Sequence, residues 1–467
     1  MTEDTTDPVL FRWEPPKAGG PRRLGFAIGW WRSCPERIGQ LALLPDRSPT
    51  AVIGRDGARK DDTGPRLTFG PIRPGMMQPE GQPLDSRSLS RTTLLIQSRG
   101  NELGVHHVGK GAMRVNGRML KKVRVEVGDR IALGDELLLL VVERVVQPES
   151  VLYPAFPFGM PDRFGLVGES ETAWALRRDL AFLASRREHV LIHGPSGVGK
   201  EMVARALHGL SARSAGPLVV RSAATMVPDW TAVELFGSAR DFPSAGTPER
   251  AGLLGEAQGG TLGIDDLDCA SSTLQSQLLA LLDRNEYHRL GDPVARPSDV
   301  RIVAITSRPD QVRRDLASRF LLHLPAPGFS EWREDLPLMV RHFLRTRMTD
   351  AEGLGTRTLP GGEPAVSLDL VDKLLEHGYL EGGRELARQL LLAVASSPDN
   401  EVTLTPSLEA RLKPLPVALP GRDDVEEVLA RTGGNVSRAW QELGLSSRHV
   451  LNRLMKRYGI TAKRFDD

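Results

Sequence analysis

The sequence predicts a chain of three domains: an N-terminal β-sandwich, a central α/β domain carrying a helical lid, and a C-terminal all-α domain. Three observations predict it. Residues 1–147 hold short apolar runs broken by Gly, Pro and Asn-Gly turns, the signature of a sandwich. From about residue 163 apolar strands alternate with helical or loop segments, which implies a parallel sheet. After residue 422 the spacing is helical. Proline-spaced stretches at 148–162 and 399–421 read as linkers. With 467 residues, about three separately cored domains are affordable in length.

Composition narrows the classes. Lys and Arg number 61 against 59 Asp and Glu, so any nucleic-acid surface must be local. Cys34 and Cys269 lie far apart with no metal-ligand spacing, which argues against a disulfide framework or a zinc site. The opening "MTEDTTDPVL" lacks a signal-peptide core, and the longest apolar run, "LLLLVV" from Leu137 to Val142, is too short to span a bilayer. The expectation is a cytoplasmic protein without a membrane partner.

In chain order, "LALL", "TTLLIQ", "VRVEV" and "LLLLVVERVV" are the sandwich strands. "HVLIHG", "PLVVRS", "GTLGIDD" and "VRIVAITS" are strands of the central sheet, its α/β part running to about residue 328 and its helical lid to 398. The first central strand enters "GPSGVGKE", Gly194, Pro195, Ser196, Gly197, Val198, Gly199, Lys200 and Glu201, with a helical segment after it. This is a P-loop: its glycines let backbone N–H groups close around phosphate oxygens, and its lysine neutralises the terminal phosphates at a helix N-terminus. "GGTLGIDDLD" puts Asp265 and Asp266 at a strand end, where carboxylates would hold magnesium-bound water and polarise an attacking one. ATP and Mg2+ are the cofactors expected.

"GPSGVGKE", "ELFG", "EAQGGTLGIDD", "VRIVAITS", "VRRDLASRF", "REDLPLMVRHFL" and "GGREL" occur in that order. The central half of the chain thereby resembles the AAA+ domain of sigma-54-dependent enhancer-binding transcription activators. The resemblance implies that Lys200 is the P-loop lysine, Asp265 the magnesium-associated acid, Thr306 part of sensor I, Arg313 and Arg319 the trans-acting arginines, and Arg384 the sensor II arginine. It also implies a homo-oligomeric ring. The sequence departs from that pattern at Asp266, where the family has Glu, at Arg221, where it has an acid-restraining Asn, and at Ser307, where it has Asn. ATP binding with slow hydrolysis is the expectation. The family's Gly-Ala-Phe-Thr-Gly-Ala loop, which touches sigma-54, falls on Asp241, Phe242, Pro243, Ser244, Ala245 and Gly246. Proline and the lost glycine predict a stiffer loop with another contact tip, so that RNA polymerase is an expected partner but sigma-54 promoters are not opened by the family's usual contact, and the protein acts on transcription by another route or by modulating related activators in a mixed ring.

The tail resembles a Fis-type helix-turn-helix. Ser447, Arg448, His449, Asn452, Arg453 and Lys456 fall on the recognition helix, and residues 446–464 hold six Lys/Arg and no acid, so DNA is the expected partner. At the other end "AVIGRDG", "SLSRTT", "RVNGRML" and "VEVGDRIALGDELLLLV" resemble a forkhead-associated domain, which implies a phosphothreonine-containing partner read by Arg55, Ser90, Arg91 and Asn116. The family's histidine three places after the serine is Thr93 here. The resulting reading is a transcription regulator whose phosphopeptide-sensing domain governs a DNA-anchored AAA+ ring. Two other readings stay open: a nucleotide-gated switch that does not hydrolyse ATP, and an AAA+ remodelling or scaffold protein outside transcription.

Overall fold

The computed structural model of the chain describes residues 20–46, 48–57, 64–75, 81–99, 102–146, 150–347, 357–359, 361–398, 400–413, 422–436, 439–440, 443, 451–452, 454–455, 458 and 460. Contacts divide the chain into two units: Met1–Leu375 with Tyr379–Leu408, and Glu376–Gly378 with Glu409–Asp467.

Among the described residues the first unit begins with ten strands: β1 (Arg22–Trp31), β2 (Leu41–Leu43), β3 (Thr50–Ile53), β4 (Leu94–Arg99), β5 (Glu102–His107), β6 (Met113–Val115), β7 (Arg118–Met119), β8 (Lys122–Val125), β9 (Arg130–Leu133) and β10 (Leu137–Val145). They form two antiparallel sheets, ordered β2-β1-β10-β9-β6-β7 and β3-β4-β5-β8. Alternate residues turn inward and share one core, Phe26, Ile28, Leu137, Leu139 and Val141 from the larger sheet meeting Ile53, Leu94, Ile96, Leu103 and Val105 from the smaller. A bulge between Ile28 and Trp30 lets Trp31 join that core while Trp30 points to the opposite face.

Beyond it come α1 (Glu171–Ala184), capped by the Ser170 hydroxyl, then β11 (Val190–His193), α2 (Lys200–Leu210), β12 (Leu218–Ser222), α3 (Thr231–Phe236), α4 (Gly252–Glu256) and β13 (Thr261–Asp265). Next are α5 (Ser272–Arg284), β14 (Glu286–Tyr287), β15 (Arg296–Pro297), β16 (Arg301–Thr306), α6 (Arg314–Ala317) and β17 (Leu322–Pro325). The sheet is parallel, ordered β12-β13-β16-β11-β17, and its strands are near-continuous apolar runs because both faces are covered. The helical part holds α7 (Leu336–Arg347), a small ribbon of β18 (Thr358–Leu359) and β19 (Glu363–Pro364), α8 (Leu368–Glu376) and α9 (Gly383–Ser396).

The sandwich and the AAA+ part are joined by more than chain. Residues 150–162, expected as a linker, are packed: Arg73 lies over the Phe156 ring and donates to the Phe156 carbonyl, while its guanidinium pairs with buried Glu169. The outer face of β1 and β10 is covered as well. The Trp30 indole donates to the Val366 carbonyl at 3.3 Å, and Leu140 and Val142 line a cavity with Glu331, Glu334 and Leu375.

The second unit contains α10 (Pro406–Glu409) in part and α11 (Arg422–Arg431). Val425, Val428, Leu429, Ala439, Leu451, Leu454, Met455 and Ile460 form its core.

Candidate nucleotide site and its surroundings

β11 delivers the chain into the P-loop at a parallel strand's C-terminal end. Gly199 takes φ 90° and caps α2, whose first residue is Lys200. Gly197, at φ 76°, allows the Glu381 carbonyl to approach so closely that an added Cβ would sit 1.9 Å from it. The Gly383 N–H then donates to the Gly197 carbonyl at 2.9 Å, docking the start of α9 on the loop. The Lys200 ammonium donates to the Gly194 and Pro195 carbonyls, each at 2.9 Å, and to the Ser307 hydroxyl at 2.8 Å. Burial lowers its pKa, the charges of Asp265, Asp266 and Asp268 oppose that, and Arg384 adds to it, which places all four residues in the lysine's field.

Asp265 ends β13. Burial raises its pKa, opposed by the Asp266 N–H that it accepts at 2.8 Å. Asp266 stands at φ 52°, and its carboxylate accepts the Ser222 hydroxyl at 2.8 Å. Arg221, which stands where the family has a restraining Asn, is turned by alternation along β12 toward Glu234, with which it pairs. The residue that restrains the acid is its neighbour. Thr306, fully buried, donates to Asp268 at 2.7 Å. Burial works against ionisation of Asp268, but hydrogen bonds from Thr306, Arg308 and the Ser307 N–H outweigh it and hold the carboxyl below its usual range. Asp268 and Ser222 were not singled out from sequence. Their signal was only a third acid after "DD" and a hydroxyl at the end of "VVRS".

For magnesium, Asp265 is the carboxylate expected from sequence, with Asp266 and Asp268 also in the lysine's field, while Glu201 pairs with Arg205. Among the described residues no group of three or more His, Cys, Asp or Glu could hold a metal alone. This donor set suits an ion carried mainly by phosphate oxygens and water, with one or two carboxylates.

Arg313 and Arg319 are not brought to Lys200. Arg313 bonds Asp315 and, at 2.6 Å, the Ser276 hydroxyl, and Arg319 pairs with Asp283, so both guanidiniums lie along α5 at the surface. Arg384 opens α9 beside the P-loop.

In the loop after α3, the Ser238 and Arg250 backbones bond in both directions. Asp241 itself adopts φ 65°, the conformation glycine would have taken, and its carboxylate accepts the Gly246 N–H at 2.7 Å. The loop is therefore closed by a side chain. Phe242 is half-buried on Gly291, where an added Cβ would lie 2.6 Å from its ring, and Pro243, Ser244 and Ala245 are the exposed tip.

On the sandwich, Arg55, Ser90 and Arg91 come together. The Arg55 N–H donates to the Ser90 carbonyl at 3.1 Å, and Arg66 bridges the carbonyls of Arg55 and Arg91. The Arg55 Nε is buried without a hydrogen-bond partner. Thr93 donates its hydroxyl to the Ser90 carbonyl at 3.0 Å, so the residue in the histidine's place still ties the loop. Asn116 lies at the exposed β6–β7 turn. Its amide donates to Asp129 at 2.7 Å and accepts the Arg130 N–H at 3.0 Å, so these bonds brace the β6–β7 turn. Of the residues expected to meet DNA, Ser447, Arg448, His449, Arg453 and Lys456 lie outside the described residues, and Asn452 is helical and exposed.

A P-loop lysine among strand-end carboxylates, with a helical part docked on the loop, defines a P-loop domain of the AAA+ class. Residues 166–320 match the family described as the Sigma-54 interaction domain. The sequence is 31% identical over 319 residues to the transcriptional regulatory protein ZraR of Escherichia coli K12, spanning 63% of this chain and 69% of that one. It is 32% identical over 325 residues to the nitrogen assimilation regulatory protein NtrX of Azorhizobium caulinodans, spanning 63% of this chain and 69% of that one. A crystal structure of NtrX from Brucella abortus in complex with ATP shares 29% identity, covers 63% of this chain and 70% of its own, and superposes with a TM-score of 0.45. The chain belongs to the family of bacterial sigma-54-dependent transcriptional regulators. Among the described residues no helix is long and apolar enough to cross a membrane.

Proposed function

We propose that the protein is a DNA-anchored transcription regulator in which a phosphothreonine-reading sandwich governs an ATP-binding AAA+ ring, and that it does not engage sigma-54 by the family's usual loop contact. The loop carries this reading: Asp241 closes it onto Gly246 and Phe242 is turned onto Gly291, leaving a proline-led tip without an aromatic. In this reading Lys200 binds the terminal phosphates, Asp265 would hold a magnesium ion carried with the nucleotide, Arg384 senses the nucleotide from the lid, and Arg313 and Arg319 reach a neighbouring subunit's site. Bound ATP would supply free energy through its β–γ phosphoanhydride. Arg55, Ser90 and Arg91 receive the phosphothreonine, and the tail binds DNA.

A nucleotide-gated switch is favoured as second reading by one contact. Asp266 is a methylene shorter than the family's acid and is held by Ser222, so it polarises water poorly.

The test uses purified protein, sigma-54 polymerase, ATP and a promoter bearing its site. Open complexes should not exceed background, and opening that disappears with Phe242→Ala overturns the proposal. Lys200→Ala should abolish ATP binding, read by fluorescent-nucleotide titration, and unchanged affinity refutes the nucleotide assignment. Steady-state phosphate release separates the slow ATPase from the switch.

A further inference from the structure

Residues 106–124 carry Lys110, Arg114, Arg118, Lys121, Lys122 and Arg124 and no acid. The fold brings Lys110 to the candidate phosphate site and Lys121 and Lys122 to the start of the strand beside it. The Lys110 N–H donates to the Ser90 hydroxyl at 2.9 Å, the His107 N–H donates to the Lys121 carbonyl at 2.8 Å, and His106 faces Lys122 across β5 and β8. Lys110, Arg118, Lys121 and Lys122 are exposed and form no ion pair with a described residue, and Met119 stands among them 66% exposed. Such a rim selects an acidic ligand around the phosphate.

The same chain contains one. Its first eight residues, "MTEDTTDP", hold Thr2, Thr5 and Thr6 with Glu3, Asp4 and Asp7 and no cation. A phosphate would add a charge of about −1.5 to −2. Length permits the contact in cis. Arg32, Thr93, Lys110 and Glu136 line one cavity at the end of β1 opposite Arg22, about 33 Å away along ten residues, whereas the 16 steps from Thr6 to Arg22 span up to about 55 Å. Tethering supplies an effective concentration on the order of millimolar.

We propose that the sandwich's ligand is the N-terminal segment of this chain, phosphorylated on Thr5 or Thr6. The phosphate sits at Arg55, Ser90 and Arg91, and Glu3, Asp4 and Asp7 sit on the lysine rim. A serine/threonine kinase transfers the γ-phosphoryl of ATP: the bond to the threonine Oγ1 forms as the β–γ bridge bond breaks, and ADP and the hydroxyl proton leave. The proposal rests on the phosphothreonine reading above.

The test titrates the unphosphorylated full chain with fluorescent peptides of residues 1–12. These are unmodified, phosphorylated on Thr5 or on Thr6, and phosphorylated with Glu3, Asp4 and Asp7 changed to Ser, alongside an unrelated neutral phosphothreonine peptide. At least one native phosphopeptide should bind tenfold or more tighter than the unmodified one, and lose about tenfold without its acids or against the chain carrying Lys121→Glu and Lys122→Glu. A neutral phosphopeptide binding as tightly as the native ones sinks the proposal while leaving the phosphothreonine reading intact; no phosphopeptide binding at all sinks both. A full chain made with phosphothreonine at the better position should no longer capture added peptide, and undiminished capture overturns the contact in cis.

Discussion

His189 shows how one residue couples chemistry to stability. Its Nδ1 accepts the Ile302 N–H at 3.0 Å at the start of the central sheet, and burial, followed by the charges of Arg301 and Arg213, lowers its pKa to about 4. The folded chain therefore binds fewer protons than the unfolded chain between about pH 6.5 and 4. Stability contributed by the neutral ring is present in full above pH 6.5 and is lost as pH falls through that window, by up to about 3 kcal/mol. His189→Asn keeps an acceptor and removes the titration. Thermal melts should fall less steeply with acid in that variant than in the parent, and parallel curves would refute the assignment. The acid cluster teaches the same lesson about neighbours: Ser222, not Arg221, meets Asp266, because adjacent residues of a strand face opposite ways.

Among the elements, the start of α9 and the P-loop are coupled by close approach at Gly197. The Glu381 carbonyl occupies the space of a Gly197 Cβ, and Gly383 is hydrogen-bonded to Gly197. Gly197→Ala combines a clash with backbone against a left-handed φ, so α9 must shift and carry Arg384 with it. Nucleotide affinity should fall at least tenfold in a chain that still folds by circular dichroism, and unchanged affinity would show that the lid's seat does not matter. In the loop after α3, Asp241 adopts the glycine-like φ and its side chain bonds across the loop to Gly246. Asp241→Ala should raise proteolytic cleavage around Ser244, and equal cleavage would show the bond to be dispensable.

For the whole molecule, the seam between sandwich and AAA+ part has a consistent polarity. Arg22 pairs with Glu171, Arg32 with Glu401, Arg73 with Glu169, Arg114 with Asp369, Arg130 with Asp372 and Arg144 with Glu334, the arginine always on the sandwich. Complementary charge fixes register, and apolar Trp30, Leu138, Leu140 and Val142 fill the space between. Arg130 and Asp372 are largely buried, so Arg130→Ala strands a carboxylate and should cost about 3 kcal/mol. Arg124→Ala breaks an exposed pair with Glu102 and should cost at most about 1 kcal/mol. Melting temperatures of the two variants decide it, and equal shifts would mean the seam adds nothing.

The sequence by itself determined four of the five central strands and the nucleotide motif, while β17 and the sandwich's long β1 were not among the runs read as strands. "HVLIHG", "PLVVRS", "GTLGIDD" and "VRIVAITS" became the central strands because apolar runs bounded by glycine and acids carry a local signal. The P-loop was legible for the same reason, since its chemistry lies in consecutive residues. Tertiary structure alone decided the partners of single side chains: that Asn116 braces a turn, that Asp268 receives Thr306, and that Phe242 rests on Gly291, contacts made between residues distant in sequence. It also explains "LLLLVV", which an antiparallel strand with one wet face would not need. Leu137, Leu139 and Val141 face the sandwich core while Leu138, Leu140 and Val142 face the lid, so β10 is apolar on both sides because two layers bury it.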